Sequence, residues 1–365
     1  MEIHWYFAAQ DGTHPWNPKG VRLTDFEYMQ QLAGAIDYNG FDGALIATTP
    51  GGNDPWSMAT GLAMTTKNMK FIVAQYAGII EPLWLAQMAA SVDQISNGRL
   101  IINIINGQGP LVPQLGLPAD HDERYALADE YWGVFRRLMT GETVDFEGKF
   151  VKLKGAKLMV EPVQKPYPEL MIGGSSAPGL ALAARHADCW LSLGLPPPII
   201  KQHIARVREL AAAQGRKLRY GIRAYVIVRE TKEEAWAAAQ WQYDRMDREV
   251  VQRRLDKMKG YDAEGTQMLE AFWKTKVADG LPKDAREFEI HPGLWAGVGL
   301  IRVGTGTALV GDPDSILALM REYEEAGCEV FILGNYPHIE EAYRFADLVM
   351  PLAGRQKKAG RVTWY

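Results

Sequence analysis

A chain of 365 residues that is 47% hydrophobic and 23% charged has a globular makeup, neither disordered nor collagen-like. Its formal net charge of −4 argues against nucleic acid and against a membrane surface as partners, since the one basic run, Arg355, Lys357, Lys358 and Arg361, is a short tail. No stretch approaches the roughly 18 apolar residues of a membrane span, and the two cysteines, Cys189 and Cys328, sit far apart in apolar runs, so a cytoplasmic chain without disulfides is expected.

Short apolar runs alternate with helical stretches. The first run, Ile3–Ala8, ends at Gln10 and Asp11, and a helix follows over Asp25–Tyr38, with Phe26, Met29, Leu32, Ala33 and Ile36 at helical spacing. Phe41–Ala47 runs into Thr48, Pro50, Gly51, Gly52, Asn53 and Asp54. Lys70–Ala74 leads to Tyr76 and a helix over Pro82–Ile95. Leu100–Ile105 ends at Asn106 and precedes a helix over Glu123–Met139. Residues 140–168 break the pattern with prolines and glycines and read as an excursion holding a small hairpin. Glu169–Ile172 opens onto Gly173-Gly174-Ser175-Ser176 and a helix from Gly179. Asp188–Leu191 closes on Leu193, and a helix over Pro198–Gln214 follows. Arg219–Val228 carries Arg223 in its middle. Residues 245–300 are a long charged insertion with helical pieces around Arg245–Met258 and Gly265–Lys276, and the last run, Val330–Leu333, ends at Tyr336-Pro337-His338.

Eight runs, several continuous rather than alternating, are what parallel strands covered on both faces require. The pattern predicts an α/β chain folded as one (β/α)8 TIM barrel domain over residues 1–365, with the 245–300 insertion as a mobile lid. In such a barrel the active site forms at the C-terminal strand ends. There the Gly173-Gly174-Ser175-Ser176 turn offers N–H groups and hydroxyls to a phosphate at a helix start, and Gly304-Thr305-Gly306-Thr307 has the same chemistry. Neither a phosphate loop of the triphosphate kind nor a dinucleotide fingerprint is present. The seven histidines form no pair at ligand spacing with carboxylates, so no metal site is expected. A barrel with an anion turn and little acid–base machinery points to a cofactor that carries the hard chemistry. Arg223 either pairs with a buried carboxylate or, with Arg302, converges on an anionic head group.

From Trp5 to about Pro351 the sequence resembles the flavin-dependent alkanesulfonate monooxygenases of the bacterial luciferase-like family. The resemblance rests on segments such as Asp93-Gln94-Ile95-Ser96-Asn97-Gly98-Arg99, His121-Asp122-Glu123-Arg124-Tyr125, Gly173-Gly174-Ser175-Ser176, Leu294-Trp295-Ala296-Gly297-Val298-Gly299-Leu300 and Tyr336-Pro337-His338-Ile339-Glu340-Glu341. It implies a two-component enzyme. FMNH2 would come from a separate NADH- or NADPH-dependent flavin reductase, and O2 would oxidise an organosulfonate at the carbon bearing sulfur, releasing sulfite and an aldehyde. It implies that Tyr76, Asn106, His121, Tyr125, Gly174, Ser175 and Ser176 hold the flavin. It implies catalytic roles for Arg223, Tyr225, Arg302 and Tyr336, with Gln10, Asn53 and Leu193 joining the two arginines around the substrate. A homodimer or homotetramer is expected. Four positions depart from the alkanesulfonate pattern: Gln10 stands where a histidine is usual, Gly52 for a cysteine, Leu193 for a tryptophan and Tyr225 for a histidine. These changes alter the pocket wall and leave other substrates open, as they do an F420-type hydride-transfer oxidoreductase on the same barrel.

Overall fold

The computed structural model describes residues 1–7, 9–48, 51–106, 111–258, 264–278, 280–301 and 306–355. The chain runs β1 (Glu2–Phe7), α1 (Phe26–Asn39), β2 (Gly43–Ile46), α2 (Pro55–Ala63), β3 (Lys70–Tyr76), α3 (Pro82–Ser96), β4 (Leu100–Ile105), α4 (Leu111–Gln114) and α5 (His121–Met139). Next come β5 (Thr143–Glu147), β6 (Lys152–Lys157), β7 (Leu170–Gly173), α6 (Ala177–His186), β8 (Cys189–Leu193), α7 (Pro197–Ala213), β9 (Arg219–Arg223), β10 (Tyr225–Val228) and α8 (Lys232–Tyr243). The rest is α9 (Arg248–Met258), α10 (Glu264–Lys276), β11 (Glu289–His291), β12 (Leu294–Trp295), β13 (Ala308–Gly311), α11 (Pro313–Ala326), β14 (Val330–Ile332) and α12 (His338–Leu348).

Eight strands close into a parallel barrel in the order β1-β14-β9-β8-β7-β4-β3-β2. They coincide with the eight apolar runs. The helices begin where capping chemistry allows: the Asp25 side chain accepts from Tyr28 N–H to start α1, and Thr231 with Glu234 forms a capping box at α8. Gly40 ends α1 in the left-handed conformation at φ 80°, as its place after the apolar stripe predicts. The excursion at 140–168 does contain a hairpin, β5 with β6, outside the barrel.

Strand alternation fixes what fills the barrel. Leu193 pairs with Arg223, and Ile332 pairs with Arg223 on the other side, while Glu2 faces Val330 and His4 faces Ile332. Arg219 and Arg223 thus share the inward face of β9 with Glu2, His4 and Tyr6 of β1. The inward column begins in charge at the N-terminal mouth, where Glu2 meets His4, Lys70 and Arg219, and ends at Arg223.

The structure departs from the sequence reading in one place that matters. The run Arg219–Val228 is two strands. Ala224 N–H still donates to Ile332 O inside the barrel, but Tyr225 N–H donates to Thr307 O, and β10 leaves to pair in parallel with β13. A four-stranded sheet, β10-β13-β12-β11, results. Both halves are apolar because both are buried, so hydropathy cannot mark the change of partner. The 245–300 insertion supplies part of this sheet, and its Leu269, Trp273, Phe288 and Trp295 are buried in the main core. Among the described residues no helix is long and apolar enough to cross a membrane.

Candidate active site

The C-terminal strand ends gather two groups of side chains. In the first, Gly174 follows β7 with φ 128°, a conformation that side chains disfavour, and Ser176 caps α6 by accepting Gly179 N–H at 3.3 Å. The first turn of α6 presents the Ala177 N–H and the positive end of its dipole at this turn, Pro178 having no N–H and that of Gly179 being taken by Ser176. Tyr125 on α5 brings its hydroxyl to 3.4 Å from Ser176 Oγ, and the His121 ring lies 4.8 Å from that of Tyr125. Trp190 Nε1 steadies the turn by donating to Gly174 O at 2.8 Å. Ser175 is buried, and its hydroxyl accepts the N–H of Gly265, in the first turn of α10, at 3.3 Å. Two helix starts thus point at one spot.

Asn106 closes this group at the end of β4. Both polar atoms of its side chain are shielded from solvent and have no hydrogen-bond partner among the described residues. Arg124 is buried beside it. Its Nη1 donates to Pro118 O and Ala119 O at 3.2 and 2.6 Å, but its Nε has no partner among the described residues. The two line a recess of about 180 Å³ with Ala77, Ile105, Leu117 and Leu127. Leaving such groups unpaired costs about 1–3 kcal/mol each, a cost that a ligand offering both a donor and an acceptor removes. Tyr76 is buried at the end of β3, and burial pushes its phenol up, so it stays neutral. These residues fit a flavin-like ligand: a phosphate at the turn and a polar ring edge at Asn106.

The second group stands over the barrel axis. The Arg223 guanidinium lies 4.2 Å above the Tyr6 ring. Its Nε is shielded and, among the described residues, has no hydrogen-bond partner and no ion pair. No described carboxylate therefore fills the place that the buried-carboxylate alternative requires. Tyr225 and Tyr336 meet edge to face at 5.5 Å, His338 lies 5.1 Å from Tyr336 and 5.9 Å from Tyr6, and Trp16 covers Tyr336 at 5.9 Å. Leu193 is the strand neighbour of Arg223.

Other expected residues stand at the rim. Asn53 is exposed, 3.5 Å from Thr24 O, and with Gly52 borders an apolar recess of about 320 Å³ that includes Phe7, Met29, Ile46 and Met58. Gln10 is exposed in the first loop. Arg302 lies outside the described residues, as do Gly304 and Thr305. Thr307 of that second glycine-threonine turn spends its hydroxyl on Gly194 O.

A sequence model of the family described as luciferase-like monooxygenase matches residues 1–329. The chain belongs to this family. Three solved structures share its fold. The EDTA monooxygenase of Chelativorans sp. BNC1 is 20% identical, covering 97% of this chain and 93% of its own, with a TM-score of 0.77. The oxygenating constituent of 3,6-diketocamphane monooxygenase from Pseudomonas putida, solved with FMN, is 19% identical over 95% of each chain at 0.67. The coenzyme F420-dependent tetrahydromethanopterin reductase of Methanopyrus kandleri is 20% identical over 90% of this chain and 96% of its own, at 0.64. This luciferase-like chain is accordingly an oxidoreductase of a fold that serves flavin and F420 alike.

Sequence reasoning gave no site role to Tyr6, Trp16, Asp11 or Arg124. Tyr6 was legible from alternation in the first strand, which puts Glu2, His4 and Tyr6 on one face. Asp11 stands one residue past Gln10, and only tertiary contact separates their roles.

Proposed function

We propose that the chain is the oxygenase of a two-component, FMNH2-dependent monooxygenase whose substrate is a small organic anion, an organosulfonate first among them. The observation that carries this reading is Arg223: a half-buried arginine at the top of the barrel, above an aromatic ring, whose shielded Nε has no partner among the described residues. An anionic head group supplies the missing acceptor, and a sulfonate offers three oxygens to a guanidinium fork. Arg302 is a further donor in this reading, and the altered wall at Gln10, Gly52, Leu193 and Tyr225 suits a substrate other than a simple alkanesulfonate.

Ser175, Ser176 and Tyr125 would hold the flavin phosphate, and Asn106 would meet the donor and acceptor of its ring edge. Bound there, reduced flavin supplies the electrons with which O2 is activated. The protein's part is to bind and orient. Arg223 fixes the anion, Tyr225 and Tyr336 wall the reacting carbon and offer phenolic hydroxyls for proton transfer, and the 245–300 insertion keeps water away. The flavin would arrive from a separate NAD(P)H-dependent reductase, and the chain would work as a homodimer or homotetramer. An F420-type hydride transfer is the second reading, favoured by the likeness to the Methanopyrus kandleri reductase.

Chemically reduced FMN, oxygen and a panel of organosulfonates decide between them. Sulfite release that needs all three supports the monooxygenase. Substrate oxidation under strict anaerobiosis with F420 overturns it.

A further inference from the structure

The turn that carries Tyr336 opens α12, and the cap of that helix comes from the other end of the chain. Its own N-cap residue, Pro337, offers no side-chain acceptor. Asp11, in the loop after β1, takes that place: both carboxylate oxygens accept His338 N–H at 3.1 Å, and Tyr28 on α1 donates its hydroxyl to the same carboxylate. Asp11 is 1% exposed. Its backbone pairs with Arg22, whose guanidinium grips Glu340 in the first turn of α12 at 2.5 and 3.1 Å. The first loop, α1 and the last helix meet at one carboxylate.

We propose that Asp11 is a positioning residue for the substrate pocket: supplied from the first loop as the N-cap of α12, it sets where Tyr336 and His338 stand against Tyr225. The effect on turnover rests on the reading of the pocket given above, but the anchoring does not. The Tyr336 and His338 rings are packed against each other and against Tyr225, so a shift at the start of α12 moves both. Helix starts favour an anion, while burial away from water favours the neutral acid, so the charge state of the acceptor sets how firmly this start is held.

The same carboxylate gives the anchor a pH dependence. Burial pushes Asp11 up to about 6, against the pull of the Gly12 and His338 N–H groups and the Arg22 charge, with Glu340 adding to the rise. Asp11 is therefore ionised at neutral pH and loses its charge on mild acidification. The charged and titratable groups around it are Arg22 and Glu340, which neutralise each other, Tyr28 from α1, and the His338 ring from α12. His14, farther along the first loop, has its own pKa lowered by burial and by Arg245. A variant at His14 is therefore a needed control.

Backbone hydrogen exchange of residues 337–342, measured without any ligand and corrected for intrinsic rate, tests the anchor. In the native chain this stretch should exchange about tenfold slower at pH 5 than at pH 8, because opening releases a carboxylate whose buried form prefers to be neutral. Asp11→Asn, fixed neutral, should exchange at the slow rate at both pH values, and Asp11→Ala, which removes the acceptor, should exchange fast at both. Tyr28→Phe, which removes a donor to the ionised form, should move the midpoint upward, and His14→Gln should leave it in place. Protection in Asp11→Ala equal to the native chain at pH 5 overturns the proposal, as does native protection that is flat from pH 5 to 8. Should Asp11→Ala fail to fold, the native pH series and Tyr28→Phe still decide. With a turned-over substrate, the change of kcat/KM with pH near 6 should vanish in Asp11→Asn while flavin affinity holds. If no sulfonate is turned over but exchange behaves as stated, the substrate class fails and the anchor stands.

Discussion

Two arginines on the same strand face the same way and live in opposite surroundings. Arg219 and Arg223 are four residues apart on β9, about 13 Å along the strand. Arg219, at the N-terminal mouth of the barrel, meets Glu2, Glu169 at 3.0 Å and Glu329 at 3.5 Å, and Glu2 in turn meets Lys70 and His4, each at 3.1 Å. Arg223, at the C-terminal mouth, meets a tyrosine ring and no described carboxylate. A half-buried charge whose partners come with the fold is architecture. One whose partner the fold withholds is reserved for something that arrives. The contrast assigns stability to the bottom of the barrel and binding to the top, as expected for this fold.

The sharpest way to break that division is Arg223→Ala. It should lower kcat/KM by at least about a thousandfold, the scale of losing a charge-assisted anchor, while Tm holds because the half-buried cation has no described ion-pair partner to lose. Steady-state kinetics beside a thermal melt reads both, and a variant that melts early with near-normal turnover would reverse the assignment.

Arg219→Met should do the opposite. It strands Glu2 and Glu169, so unfolding free energy should fall by about 2–3 kcal/mol, below the range for fully buried pairs because Arg219 is about a third exposed, with kcat within twofold. Denaturant titration measures the first quantity and initial rates the second.

Ser175→Ala combined with Ser176→Ala should weaken FMN binding by about 1–3 kcal/mol and leave riboflavin binding unchanged. Equal losses for both ligands, read by fluorescence quenching, would move the phosphate elsewhere.

The smallest effect is in pH dependence, where the two mouths have opposite signs. Burial tends to raise Glu2, but His4, Arg219 and Lys70 hold it well below the carboxylate range. Its contribution to stability is present above its unfolded value near 4.5 and disappears as pH falls through the lower folded value. Asp11 is shifted the other way, from 3.8 to about 6, so its ionised form is a burden above pH 6 that lifts as pH falls toward 4. Asp11→Asn should therefore be more stable than the native chain at pH 8, by about 1–3 kcal/mol, and lose that advantage by pH 4. Melts across this range would show a constant offset if Asp11 were only a packing residue.

Most of the barrel was legible because its strands are buried on both faces and its helices carry clean apolar stripes between capping residues. The turn after β7 was legible too, since Gly174, Ser175 and Ser176 sit in sequence at a strand end. The break at Ala224 was not, because Tyr225–Val228 is as apolar as the strand it leaves. Nor was the fate of Arg223, because whether a strand arginine finds a carboxylate depends on neighbours far away in the sequence. Asn106 shows the same limit: its place after β4 could be read, but not that both ends of its amide would be shielded and unpaired.

The contact between Gly265 N–H and Ser175 Oγ has a kinetic meaning. Only a lone pair of the hydroxyl is used there, so its O–H is still free to donate to a phosphate, but a phosphate that is also to accept the Gly265 N–H must displace this contact. If that displacement is the slow step, the observed rate of flavin association stops rising with concentration and levels off at the rate at which α10 lets go. Once seated, the ligand would have the same N–H as a donor, and departure would wait on the same event. The residence time of flavin would then be set by one glycine amide rather than by the strength of the phosphate contacts.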